Sequence, residues 1–150
     1  IMRAVFERKE GIKLRNPSAI RPWQHVLDPL FGYLLLAERL FEGETNAAGA
    51  WNFAPDKGNF VTVEELAKRS IKFLGTGSYS IQPEVGKHET AVLRLDAAKA
   101  RTNLGWKPLL GIDECVEWTA GWYKDFYTGK DARSVTRRQF DSYLEKAQCS

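Results

Sequence analysis

Cysteine is scarce: Cys115 and Cys149 are the only two among 150 residues, too few for a disulfide framework or a cysteine-based zinc site. Such usage fits a reducing compartment, and the expected location is the cytoplasm. No basic segment leads into an apolar core as a secretory leader would, and the longest apolar stretch, Leu30 to Leu36, falls far short of the roughly 20 residues a membrane helix needs. The sequence therefore reads as that of a soluble protein with no membrane partner. Nor is charge of one sign gathered anywhere. The 22 Lys and Arg are interspersed with 19 Asp and Glu to a net charge of +3, and without a stripe of cations to neutralise successive phosphates nucleic acid is not an expected partner.

Catalytic signatures are missing as well. No Gly-x-Gly-x-x-Gly occurs, so the tight strand-to-helix turn that brings backbone against a pyrophosphate is not encoded; Gly75-Thr76-Gly77 follows a helix and has no third glycine. There is no Gly-Lys-Ser/Thr phosphate loop, no Gly-x-Ser-x-Gly nucleophile turn and no Tyr-x-x-x-Lys pair. The two histidines, His25 and His88, lack a second His and a Glu at helical spacing, so no metal is expected. These absences describe a binding region rather than a self-sufficient enzyme.

What remains is an ordinary globular composition, 43% hydrophobic and 27% charged, with five Trp, five Tyr and eight Phe to anchor a core or wall a cleft. Ile1 to Arg8 have helical spacing that starts in mid-pattern without a cap, as if cut from something longer. Ile12 to Arg15 alternate as a short strand before the turn Asn16-Pro17-Ser18. Asp28-Pro29 has the chemistry of a helix opening, and the helix expected from Pro29 to about Glu42 is apolar almost all round, the mark of a helix buried between layers.

Trp51 to Ala54 read as a brief strand ended by Pro55, and Thr62-x-x-Glu65 is a capping box opening an amphipathic helix that stops at Gly75. Tyr79 to Gln82 and Val92 to Leu95 read as two more strands. Asp96 caps a short helix closed by Gly105, a long helix follows from Ile112, and Thr136-x-x-Gln139 is expected to cap the last one. The sum is an α/β chain of about five helices around a few short strands, without repeats.

The run Arg15-Asn16-Pro17 through Arg21-Pro22-Trp23-Gln24-His25-Val26-Leu27 to Gly32-Tyr33-Leu34-Leu35-Leu36-Ala37-Glu38 resembles the corresponding stretch of the CDP-glucose 4,6-dehydratases, which are extended short-chain dehydrogenases. The resemblance continues in Gly49 to Pro55, where the family commonly has Gly in place of Ala54. It resumes at His88-Glu89-Thr90-Ala91, Leu93-Arg94-Leu95-Asp96 and Leu104-Gly105-Trp106-Lys107-Pro108. It implies that residues 1–150 form the C-terminal, sugar-nucleotide-binding part of such an enzyme, with Trp51 to Ala54 at the edge of the Rossmann sheet. The NAD-binding half and the catalytic tyrosine, lysine and acidic residue would lie upstream of Ile1.

For the parent the resemblance implies a hydro-lyase of bacterial deoxysugar and O-antigen synthesis, and a homo-oligomer. NAD would oxidise sugar C4, water would leave across C5 and C6, and the hydride would return to C6, giving a 4-keto-6-deoxy sugar. The chain alone would hold no NAD and no catalytic residue, and its partner would be CDP-glucose or a similar sugar nucleotide. The alternatives are the substrate part of another extended dehydrogenase, such as a sugar-nucleotide epimerase, and a stand-alone binding domain.

By the same resemblance Arg21 holds the pyrophosphate through two parallel charge-assisted hydrogen bonds, the other reading being a surface arginine stacked on Trp23. His25 stands beside it as ligand contact or structural histidine, and Trp23 reads as core or cleft wall, the other reading being a platform on which the base stacks. Asn52 either donates to a phosphate or closes the Pro55 turn. His88 and Glu89, in a polar loop with Lys87, either reach the nucleotide or stay solvated.

Overall fold

The computed structural model describes residues 1–83 and 90–149. After a wide helical turn over Ala4–Arg8 come β1 (Ile12–Leu14), β2 (Ile20–Pro22), α1 (Leu27–Phe41), β3 (Phe60–Thr62), α2 (Val63–Leu74), β4 (Tyr79–Ile81), α3 (Ala98–Leu104), α4 (Ile112–Tyr127) and α5 (Ala132–Gln148). Two small sheets result. β1 runs parallel to β4, with Ile12 opposite Tyr79 and Leu14 opposite Ile81. β2 runs antiparallel to β3, with Arg21 opposite Val61 and Pro22 opposite Phe60. The α/β class stands, with the parallel pair as a sheet edge.

Local chemistry explains several boundaries. Thr62 accepts the Glu65 amide at 3.1 Å and starts α2, and Gly75, at φ +69°, ends it in the left-handed region that glycine tolerates. The apolar side of α2 then covers β1, burying Ala67 against Ile12, Leu14 and Ala4. A second cluster gathers Phe53, Ala54, Ala97, Ala100, Leu104 and Trp106 beneath α1. A third joins Leu110, Cys115 and Tyr143 across α4 and α5.

Four expectations need correction. Trp51 to Ala54 form no strand; the segment is held by side chains, Gln24 Nε2 donating to the Phe53 carbonyl at 2.9 Å and the Phe53 ring meeting Trp106 edge-on. Val92 to Leu95 contribute a single parallel bridge, Ile20 to Val92, rather than a strand. The last helix begins at Ala132, capped by Asp131, whose carboxylate accepts the Ser134 amide at 2.8 Å. Thr136 is inside it, its hydroxyl accepting from the Trp122 indole.

The fourth concerns α1. The helix opens at Leu27, so Asp28 is in its first turn rather than capping it, and Pro29 is tolerated there because first-turn amides have no helical acceptor. Its apolar surface is covered on one side only. Phe31, Leu35 and Leu36 pack on the Phe53–Trp106 cluster, while Val26, Leu30, Tyr33, Leu34 and Phe41 are exposed, Phe41 at 95%. An all-round apolar helix needs a layer on each side, and the described residues supply one.

Asp28 is instead the centre of a buried polar knot. Its Oδ1 accepts from the Tyr143 hydroxyl at 2.8 Å and the Leu109 amide at 2.9 Å, and its carbonyl accepts the Trp106 indole N–H at 3.0 Å. Oδ2 has no partner among the described residues. Burial raises the carboxyl's pKa, and the bonds from Leu109 and Tyr143 oppose that rise. The knot fixes the start of α1 against α5 and the loop before α4.

Candidate functional site

β2 and the residues just after it carry three of the candidate side chains, and these part in three directions. Arg21 Nη1 donates to the carbonyls of Ile20 and Thr90, each at 2.9 Å. Its guanidinium is thus fixed between β2 and the chain just beyond residues 84–89. Trp23 prolongs the β2–β3 pairing: its amide donates to the Asn59 carbonyl at 3.2 Å and its indole to the Val61 carbonyl at 3.0 Å. Arg21 and Trp23 are therefore each anchored on backbone, at different places.

His25 is 5% exposed. Its Nδ1 accepts the Leu27 amide at 3.3 Å and its ring meets Trp118 edge-on with centroids 5.8 Å apart. Burial pushes its pKa down to about 4, so the imidazole is neutral at ordinary pH. Asn52 is exposed and makes no side-chain hydrogen bond among the described residues. His88 and Glu89 lie outside the described residues. The structure thus brings Arg21 to Thr90, and Asn52 to within one residue of the carbonyl that Gln24 holds, and sends His25 toward α4.

A cleft of about 800 Å³ opens at the Pro22 end of β2, walled by Ala54 to Gly58, Phe60, Arg94 to Ala97 and Arg101. Ala54 is 1% exposed there. Arg101 is paired with Asp56 at 2.7 Å and Asp96 accepts the Ala98 amide at 2.8 Å. Lys57 and Arg94 have no ionic partner among the described residues, and with Arg101 they outnumber the carboxylates of Asp56 and Asp96 by one along the lining of the cleft. Sequence reading gave neither cation a role, although Arg94 stands in the family-like Leu93-Arg94-Leu95-Asp96. Arg94 is a lone charge between two leucines and Lys57 sits in a turn, and only the fold, by lining one cleft with both, makes a pattern of them.

Among the described residues no group of three or more His, Cys, Asp or Glu is placed to hold a metal ion, and no helix is long and apolar enough to cross a membrane. Burial raises the Cys115 thiol to about 11, which leaves it a poor nucleophile.

No family model matches the sequence. Over 140 residues it is 35% identical to the CDP-glucose 4,6-dehydratase of Salmonella typhimurium strain LT2, an alignment covering 93% of this chain and 39% of that protein. It is 29% identical over 121 residues to the bifunctional UDP-glucose 4-epimerase and UDP-xylose 4-epimerase 1 of Pisum sativum, covering 77% of this chain and 33% of that one. Among solved structures, the UDP-glucuronic acid 4-epimerase from Bacillus cereus in complex with NAD superposes with a TM-score of 0.65 at 15% identity, over 87% of this chain and 39% of that chain. The UDP-glucose 4-epimerase from Bifidobacterium longum in complex with NAD+ and UDP gives 0.63 at 19% identity, over 83% and 38%.

The chain thus spans about two fifths of the length of the first of these relatives. Its fold is that of the C-terminal part of the extended short-chain dehydrogenases. Within that class its sequence is similar, along nearly its whole length, to CDP-glucose 4,6-dehydratase.

Proposed function

We propose that the chain is the sugar-nucleotide-binding part of an NAD-dependent CDP-glucose 4,6-dehydratase, with the cofactor and the catalytic residues carried by the remainder of the enzyme. The 35% identity across 93% of the chain carries this reading. An alignment of that length within 150 residues includes Arg15 to Glu38, the segment most characteristic of the family. Arg21 is the residue assigned to the pyrophosphate. A guanidinium suits that task because its planar fork meets two phosphate oxygens at once and stays charged at every relevant pH. Two backbone carbonyls hold it at the β2 edge before any ligand arrives, which lowers the ordering cost of binding.

Calorimetric titration of the chain with CDP-glucose, and separately with NAD, tests the assignment. CDP-glucose binds, NAD does not, and no dehydration product forms. Arg21→Ala lowers affinity roughly ten- to hundredfold, the effect of about 1.5–3 kcal/mol for a hydrogen bond to a charged group. Arg21→Lys recovers part of the loss, keeping the charge without the fork. An Arg21→Ala variant that binds CDP-glucose as tightly as the parent would show that Arg21 is structural. The similarity to UDP-sugar epimerases supports a second reading, the substrate part of an epimerase, and a preference for UDP-glucose over CDP-glucose in the same titration would favour it.

A further inference from the structure

A second cleft, of about 450 Å³, lies between the start of α1 and the pair α4–α5, within the roughly 300–1,000 Å³ typical of ligand pockets. Its wall includes His25, Thr119, Trp122, Tyr123, Thr136 and Gln139, and contains no Asp, Glu, Lys or Arg. That sets it apart from the charged cleft beside β2. A phosphate or carboxylate placed here would lose its hydration without meeting a cation, at heavy cost.

The polar groups on the wall are neutral, and several have no partner among the described residues. His25 uses Nδ1 as acceptor for the Leu27 amide, which in a neutral ring leaves the proton on Nε2, and no acceptor for it occurs among the described residues. The hydroxyls of Thr119 and Tyr123, one helical turn apart on α4, also have no partner among the described residues. Gln139 spends its amide N–H on the Trp118 carbonyl at 2.7 Å and keeps its oxygen as an acceptor.

The aromatic part is fixed in advance. The Trp122 indole donates to Thr136 Oγ1 at 2.9 Å and stacks on Phe126 with centroids 5.3 Å apart, so little side-chain freedom remains to be lost on binding. A rigid aromatic wall beside neutral donors and acceptors matches a ring with one apolar C–H face and a rim of hydroxyls.

We propose that this cleft binds a neutral hexopyranose, independently of the phosphate contact at Arg21. Saturation-transfer NMR on the 150-residue chain with methyl α-D-glucopyranoside tests it, with glucose 1-phosphate as the charged comparison. The glucoside receives saturation and glucose 1-phosphate binds more weakly. Trp122→Ala removes the transfer, Thr119→Val, which keeps the shape and loses the hydroxyl, weakens binding roughly two- to tenfold, and Arg21→Ala leaves it unchanged. Should loss of the indole unfold the α4–α5 pair, Thr119→Val decides alone, its fold checked by circular dichroism. The proposal is overturned by absence of transfer to the glucoside, by transfer that Thr119→Val leaves intact, by loss on Arg21→Ala, or by equal or tighter binding of glucose 1-phosphate.

Discussion

Asp28 shows how much one buried side chain can organise. Replacing it with alanine leaves the Tyr143 hydroxyl and the Leu109 amide without their acceptor. One buried and one part-buried donor left without an acceptor, at roughly 1–3 kcal/mol each, less the relief of removing a buried carboxyl, give a net loss of about 1–4 kcal/mol, read as a lower urea midpoint. Asp28→Asn keeps an acceptor oxygen and costs less. Because burial raises the Asp28 pKa, its neutral form is the one the fold favours. That contribution is present at low pH and fades as pH rises through the folded value, so the penalty of the Asp28→Asn substitution shrinks as pH rises. None of this was legible in Asp28-Pro29, which has the local chemistry of a helix cap. The partners that decide the matter are 81 and 115 residues away, and local pattern does not reach that far. The same limit hid Arg94 and Lys57, whereas Arg21, set in a characteristic segment, could be singled out at once.

At the scale of elements, the close approach of α1 to the 51–54 segment depends on Gly32. A Cβ there would lie 2.4 Å from two carbons of the Phe53 ring, and that ring is wedged between Tyr33 and Trp106. Gly32→Ala gains about 1 kcal/mol of helix propensity and meets an overpacking penalty of about 1–3 kcal/mol. The clash wins because Phe53 has no room to retreat, and a thermal melt should show a lower midpoint with altered near-ultraviolet dichroism. The elements most legible in the sequence were those with local grammar: Thr62 and Gly75 bound α2 as their chemistry dictates. Thr136-x-x-Gln139 carried the same grammar and misled, because the Trp122 indole claims the Thr136 hydroxyl and Asp131 caps the helix first. Trp51 to Ala54 misled in turn, since four residues of that kind fit a strand or a side-chain-anchored loop equally well.

Across the whole molecule, the surface left uncovered is as informative as the core. Val26, Leu30, Tyr33, Leu34 and Phe41 are exposed along α1 and its entry, and Ile81 is exposed on the two-stranded parallel pair β1–β4. Parallel sheets ordinarily have both faces covered and further strands at their edges, and a contiguous apolar surface marks a contact. In isolation we expect the chain to self-associate, its mass by light scattering rising with concentration. Leu34→Lys with Phe41→Glu should shift it toward the monomer without loss of helical dichroism. A mass that stays monomeric at all workable concentrations would contradict this.

The Asp28 knot also sets an order of events in time. Its three hydrogen bonds span 78, 81 and 115 residues, contacts of the kind that slow folding because long loops must close before they are rewarded. During synthesis the start of α1 emerges before α5, and the Tyr143 hydroxyl reaches Asp28 only once α5 has left the ribosome. The start of α1 is therefore locked against α5 only when that helix arrives, although β2 and Arg21 are already held by β3 and the Thr90 carbonyl.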